Sequence, residues 1–290
     1  MPPEEQRLRL PSPDRLSNLP IHLIDDILSR LSFRDVVRTS TLSVDWQYTC
    51  RRFPEVKFDQ TVWETQGDLA SPTIGFIPIL DCFFMFHIGT TLKVTLDIAS
   101  LKYEPKELVL EEKYGFDNIF SSIPALEYFS WDHFEVDIGS TEFIPTRLPS
   151  VLNCLKRLFI SWITLGEFFE LSFALCMIRS SPNLEEIEIQ GCILNDGNYF
   201  ESVPQEVVDE IPASFSDITF NNLRTVKFYD VLLEEGEMQL IKVLLANSPA
   251  LVKLEIKPSQ METDKSLKVL AEITKFQQTS SKAEVVYLVD

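Results

Sequence analysis

Five times between residues 126 and 256 the chain sets a leucine, two variable residues, and then two apolar residues separated by one. These runs are Leu126-Phe129-Trp131, Leu155-Leu158-Ile160, Leu184-Ile187-Ile189, Leu223-Val226-Phe228 and Leu251-Leu254-Ile256. Alternation over so few residues is the period-2 pattern of a strand with one buried face. Ahead of two of the runs lies a stretch with helical spacing. Phe168, Phe169, Leu171, Leu175, Cys176 and Ile178 can cover one side of a helix, and Met238, Ile241, Leu244 and Leu245 form a cleaner stripe. Both stretches end in a Ser-Pro pair, Ser181-Pro182 and Ser248-Pro249. Proline cannot continue a helix and pushes its predecessor into extended geometry. SSPNLEEIEI and NSPALVKLEI are therefore one unit used twice, a helix stop followed by a strand.

The first leucines are spaced by 29, 29, 39 and 28 residues, close to a leucine-rich-repeat period with one insertion. Strands joined by crossover helices must be parallel, and stacking them buries a continuous core while alternate strand positions stay on one open face. The expected fold class is thus α/β, a short solenoid of parallel strands with crossover helices. Its open face carries Tyr128 and Ser130, Arg157 and Phe159, Glu186 and Glu188, Thr225 and Lys227, Lys253 and Glu255. From these we take Tyr128, Arg157, Phe159, Glu186, Thr225 and Lys253 as the candidate target-binding face. Tyr128 and Phe159 lead, because aromatic side chains on a polar face have little structural reason to be there. Glu188, Lys227 and Glu255 stand at equivalent sites on successive strands, where alternating charges can pair along a ladder with no ligand involved. The insertion, Gly191 to Ser216, combines the turn Asn195-Asp196-Gly197-Asn198 with Glu201, Glu206, Asp209 and Glu210 around Pro204 and Pro212, and reads as an exposed loop.

Ahead of the repeats, Leu92, Val94, Leu96 and Ile98 alternate with Lys93, Thr95 and Asp97 as a strand, and Leu108-Val109-Leu110 reads as another. Pro78 to Ile88 has the spacing of a buried helix, with Ile79, Cys82, Phe83 and Phe86 on one face. It is too short to span a bilayer. Near the N-terminus Pro20 suits a helix start, and Ile24, Ile27, Leu28 and Leu31 follow at i, i+3, i+4, i+7. Ser32 can cap a second helix with Asp35 three residues on, and Ser43 to Trp46 predicts a third, shorter turn. Three short helices bury little apolar surface, so part of their apolar face packs against something else, either a partner or the following domain.

Charge sharpens the division between the two parts. Residues 1–60 hold nine Lys/Arg and nine Asp/Glu out of 26 and 44, leaving 17 basic against 35 acidic residues in the remainder and the whole net charge of -18 there. Such a surface repels phosphate backbones and argues against nucleic-acid binding. The five cysteines are odd in number, widely spaced and without a C-x-x-C pair, as in an intracellular protein with reduced thiols. MPPEEQRLRLPSP has no apolar core of a signal peptide, and no membrane association is expected.

Leu19-Pro20, Ile27-Leu28-x-x-Leu31, Val37-Arg38-Thr39-Ser40 and Leu42-Ser43 ending at Trp46 resemble the plant F-box/FBD/LRR-repeat family. Phe33 stands where that family usually has proline, and Val44-Asp45 replaces a basic pair. The runs LRTVKFYDV, EMQLIKVLLANSPALVKLEI and SSKAEVVYL are similar to the FBD region that closes such proteins, with Val285 to Val289 as a last strand. Residues 1–13, rich in proline with Glu4, Glu5, Arg7 and Arg9, read as a flexible tail, and the resemblance implies 14–57 as a three-helix F-box, 58–213 as the leucine-rich-repeat region and 214–290 as the FBD region. It also implies fewer repeats than relatives usually carry.

The resemblance further implies docking on a Skp-type adaptor, and through it a cullin, by Leu19, Pro20, Ile24, Ile27, Leu28, Leu31, Val37 and Leu42, while the repeats hold an unidentified target protein in the cytoplasm or nucleus. The chain would then be the substrate-recognition subunit of an SCF-type cullin-RING ubiquitin ligase, non-catalytic in itself. A leucine-rich-repeat interaction scaffold, or a shortened copy acting outside any ligase, stays open beside it. The residues offer no competing chemistry. His22, His87 and His133 are dispersed, no phosphate-cradling or nucleophile motif occurs, and no cofactor or metal is expected.

Overall fold

The computed structural model describes residues 19–42, 44–52, 55–58, 92–97, 120, 125–132, 145–192, 203–259 and 263–288. The expected helix at Pro78 to Ile88 and strand at Leu108 to Leu110 lie outside them. Three helices come first, α1 (Ile21–Leu28), α2 (Phe33–Thr39) and α3 (Val44–Arg51). Pro20 stands just before α1 with extended backbone. Ser32 caps α2: its Oγ accepts the Asp35 backbone N–H at 3.2 Å and donates to the Asp35 carboxylate at 2.9 Å, which satisfies one of the orphan donors of the first turn. α1 and α2 both pack on α3, and α2 also meets the first strand.

Eight strands follow in one parallel sheet whose spatial order equals the chain order. They are β1 (Glu55–Phe58), β2 (Leu92–Asp97), β3 (Leu126–Asp132), β4 (Arg157–Ile163), β5 (Glu186–Gly191), β6 (Thr225–Val231), β7 (Lys253–Pro258) and β8 (Glu284–Tyr287). Crossover helices α4 (Phe168–Arg179), α5 (Gln205–Ser214), α6 (Glu235–Asn247) and α7 (Thr263–Ile273) join the last five strands. The apolar alternation sets the register. Leu158, Ile187, Val226 and Leu254 lie side by side across β4 to β7, as do Ile160, Ile189, Phe228 and Ile256, and all eight are buried. An α/β solenoid of parallel strands with helices is the observed architecture.

One departure from the expected layout stands out. The segment Gly191 to Ser216 is not loop throughout, because α5 occupies its second half and buries Val208 and Ile211. Pro204 sits at the helix entry, where its fixed φ and missing N–H cost nothing, and Pro212 falls in the last turn. α7 buries Ile273 and leaves Leu267 exposed.

Backbone strain recurs at one place in the repeat. Trp162 and Asp230, each sixth in its strand, have φ of 58° and 55°, a left-handed conformation uncommon for residues with a Cβ. The ladder shifts register at both, so that Ile163 pairs with Gly191 and Val231 with Pro258. The kink carries the Asp230 carbonyl against β5, where a Cβ on Gly191 would stand 2.4 Å from its oxygen. Only glycine fits there.

α6 opens on a capping box in which the Glu237 carboxylate accepts the Glu234 backbone N–H at 2.8 Å. Burial pushes Glu237 up to about 7 from 4.5, the Glu234 charge adds to this, and backbone N–H groups of Glu234, Leu232 and Leu233 oppose it. A carboxyl with a raised folded pKa binds its proton more tightly folded than unfolded, so its contribution is fully present below 4.5 and is lost as pH rises through about 7. In parallel denaturant titrations, the stability difference between wild type and Glu237→Gln should therefore vary with pH from about 4.5 to 7 and stay constant above it.

Candidate functional site

Two surfaces come together from the sequence-derived residues. The first is on the three-helix unit. Ile24, Leu28, Val36, Trp46 and Cys50 form its interior, and the Cys50 thiol, pushed up by burial, donates to the Val36 carbonyl at 3.1 Å. Ile24 and Leu28 therefore do not belong to a docking surface; they hold α1 against α3 from within. Leu19 is partly buried against the same core, and Pro20 is exposed. Ile27, Leu31, Val37 and Leu42 do face outward, joined by Ile21, Leu23, Val44 and Tyr48. Of the 14 exposed large apolar side chains among the described residues, these eight fall between residues 21 and 48. Leu42 and Val44 are 62% and 79% exposed. Isolated exposed leucines are ordinary, whereas a concentration of them marks an interaction surface.

The second surface is the open face of the sheet. One row runs Glu55, Lys93, Tyr128, Arg157, Glu186, Thr225, Lys253 and Glu284, and the next runs Lys57, Thr95, Ser130, Phe159, Glu188, Lys227, Glu255 and Val286. All six residues assigned to this face from the sequence are on it. Tyr128 and Phe159 lean together with ring centroids 5.3 Å apart. Lys93 stands 4.8 Å over the Tyr128 ring while bonding Glu55 at 2.7 Å. Arg157 is mostly exposed and approaches Glu186 only to 3.9 Å. This end of the sheet is aromatic and cationic, in contrast to the acidic chain as a whole.

The other end is occupied by its own salt links. Lys227 donates to Glu186 at 2.8 Å and Glu188 at 3.0 Å, which holds its pKa above the usual lysine range against the opposing effect of burial. Tyr229 donates to Glu255 at 2.9 Å, and burial with that bond pushes its phenol up to about 12. Lys253 bonds Glu255 within its own strand. Tyr229, two residues beyond Lys227 in the same alternation, escaped the sequence reading, and Lys93 was placed on a strand there but not on this face. Replacing Lys227 with methionine leaves Glu186 and Glu188 facing each other, and the expected loss is about 1 kcal/mol in chemical denaturation, smaller at high salt.

Among the described residues no group of three His, Cys, Asp or Glu could hold a metal ion. No described helix is long and apolar enough to cross a membrane. His22 lies exposed on α1, and the other two histidines lie outside the described residues. What the described residues present is two exposed faces, one apolar and helical, one aromatic and charged.

Residues 16–58 match the F-box domain family. The N-terminal module is an F-box. Its boundaries agree with the three helices and β1. The chain is similar to an F-box/FBD/LRR-repeat protein of Arabidopsis thaliana, 27% identical over an alignment of 210 positions that covers 62% of this chain and 50% of the relative. Another protein of that description from Arabidopsis thaliana is 35% identical over 209 residues, 65% of this chain and 43% of the relative. An F-box/LRR-repeat protein of the same plant is 25% identical over 298 residues, covering 94% of this chain and 92% of the relative. The chain spans about half the length of most curated relatives it matches.

Proposed function

We propose that this F-box protein is the substrate-recognition subunit of an SCF-type cullin-RING ubiquitin ligase. The F-box helices dock on a Skp-type adaptor, which links them to a cullin, and the open sheet face holds the target protein, in the cytoplasm or nucleus. No covalent step falls to this chain. Its contribution is effective concentration, since holding target and ligase on one connector makes the transfer step intramolecular. The observation that carries the reading is the concentration of exposed apolar side chains on a module that matches the F-box family. The aromatic and cationic end of the sheet face, with Tyr128, Phe159 and Arg157, supports the second half, because aromatic residues and arginine dominate protein-binding hot spots.

Gel filtration of the purified chain with a Skp-type adaptor at micromolar concentration tests the first half, and one co-eluting complex is the expected result. Two separate peaks would leave a repeat scaffold acting outside a ligase. Target turnover that persists when the docking face is disrupted would do the same.

A further inference from the structure

A cavity of about 440 Å³ opens where α4 and α5 end and the chain turns toward the next strands. Neither the F-box surface nor the sheet face includes it. Its lining combines Arg147, Arg179 and Asp217 with apolar Val151, Pro182 and Ile218, and pockets of this size hold small organic molecules.

Arg179, in the last turn of α4, is the unusual member. Its guanidinium lies 4.9 Å from the centroid of the Phe215 ring, donates to the Thr146 carbonyl at 3.4 Å and donates to the Ser214 hydroxyl. Its Nε–H is buried with no acceptor, and among the described residues no carboxylate pairs with it. Burial pulls its pKa down to about 10, an effect that Cys176 opposes and Arg147 reinforces, yet it remains a cation at neutral pH. A half-buried arginine with no counter-ion among the described residues is costly. It stands out in a chain carrying 44 carboxylate side chains against 26 basic ones.

Arg147 stands nearer solvent and is paired with Asp217 at 2.5 Å, which holds the Asp217 carboxyl below the usual range. Counting Arg147, Arg179 and Asp217 as +1, +1 and -1, the described residues of the lining carry one net positive charge. That balance matches a single carboxylate, while a phosphate dianion would leave excess negative charge in a partly desolvated site.

We propose that this cavity binds a monocarboxylate with an apolar body. The carboxylate takes the charge-assisted bonds that Arg179 and Arg147 can donate, and the body lies on Val151, Pro182 and Ile218. The same chemistry is offered by a small organic acid and by the C-terminal carboxylate of a protein ending in an apolar residue. The site does not depend on adaptor docking.

Calorimetric titration of the full chain with 4-phenylbutyrate and with a pentapeptide ending in free leucine, each beside its C-terminal amide, separates the two sources. The expected result is a Kd below about 1 mM for one carboxylate and at least about tenfold weaker binding of its amide. Arg179→Gln should abolish that binding. Asp217→Asn, at an exposed position, raises the net charge of the described lining to two and should tighten the carboxylate roughly three- to tenfold. Such a gain would not arise from structural damage. Equal affinity for acid and amide, no binding of either acid at about 10 mM, or an Asp217→Asn protein that binds no more tightly than wild type would overturn the proposal.

Discussion

Aspartate at both Val37 and Leu42 should lower affinity for a Skp-type adaptor by about a thousandfold while leaving the thermal unfolding of the free chain unchanged. The two side chains are exposed in the free protein, so the new carboxylates are hydrated there and cost the fold nothing. On docking they would be buried against an apolar partner surface with no cation supplied, and an unpaired buried charge costs several kcal/mol. The informative comparison is Leu28→Ala. Leu28 is 0% exposed, so its truncation should destabilise the helical unit by about 2–5 kcal/mol through lost burial and a residual cavity. Both variants would then lose binding, one with an intact melting curve and one without. Adaptor affinity by calorimetry and melting by circular dichroism distinguish them, and a wild-type affinity for the aspartate pair would show that this face is not the docking face.

That contrast marks what the sequence could convey about the F-box. Spacing at i, i+3, i+4 and i+7 collected Ile24, Ile27, Leu28 and Leu31 into one stripe, but α1 is apolar on more than one side. Three-helix packing divides the stripe, sending Ile24 and Leu28 inward and leaving Ile27 and Leu31 out. Periodicity reports that a residue wants burial, not which neighbour will provide it. In the solenoid the same information sufficed, because a strand in a parallel one-sided sheet has only two faces. There Leu158, Ile187, Val226 and Leu254 had to share one face, and Arg157, Glu186, Thr225 and Lys253 the other.

Long-range choices were less legible. Glu188, Lys227 and Glu255 are aligned as the alternation implied, yet Lys227 reaches diagonally to Glu186 as well as across to Glu188, and Glu255 takes Tyr229 and Lys253. Side-chain reach settles those partners, not register alone. α5 was hidden because prolines read as breakers where one of them is a helix start. The cavity beside α4 joins Arg147, Arg179 and Asp217, residues that come together only once two helices have been stacked.

Truncating Phe228 to alanine should cost about 3–5 kcal/mol and split the unfolding of the repeat domain into two steps. Phe228 is fully buried in β6, with Ile189 on one side in register and Ile256 on the other. The ring fills the layer between the sheet and the crossover helices, and the rows on either side are already ordered by backbone pairing, so the vacated volume has little freedom to collapse. In a solenoid each unit is stabilised chiefly by its two neighbours. A cavity at β6 therefore weakens the link between β4–β5 and β7–β8 more than it weakens either side alone. Hydrogen exchange should show amides of β7, α7 and β8 losing protection at lower denaturant than those of β4 and α4. Glu188→Gln, on the open face of the adjoining strand, keeps the packing and should leave the single transition intact. If Phe228→Ala instead lowers protection evenly from β4 to β8, the repeats are coupled too strongly to behave as nearest-neighbour units, and stability in this chain is set by the sheet as a whole.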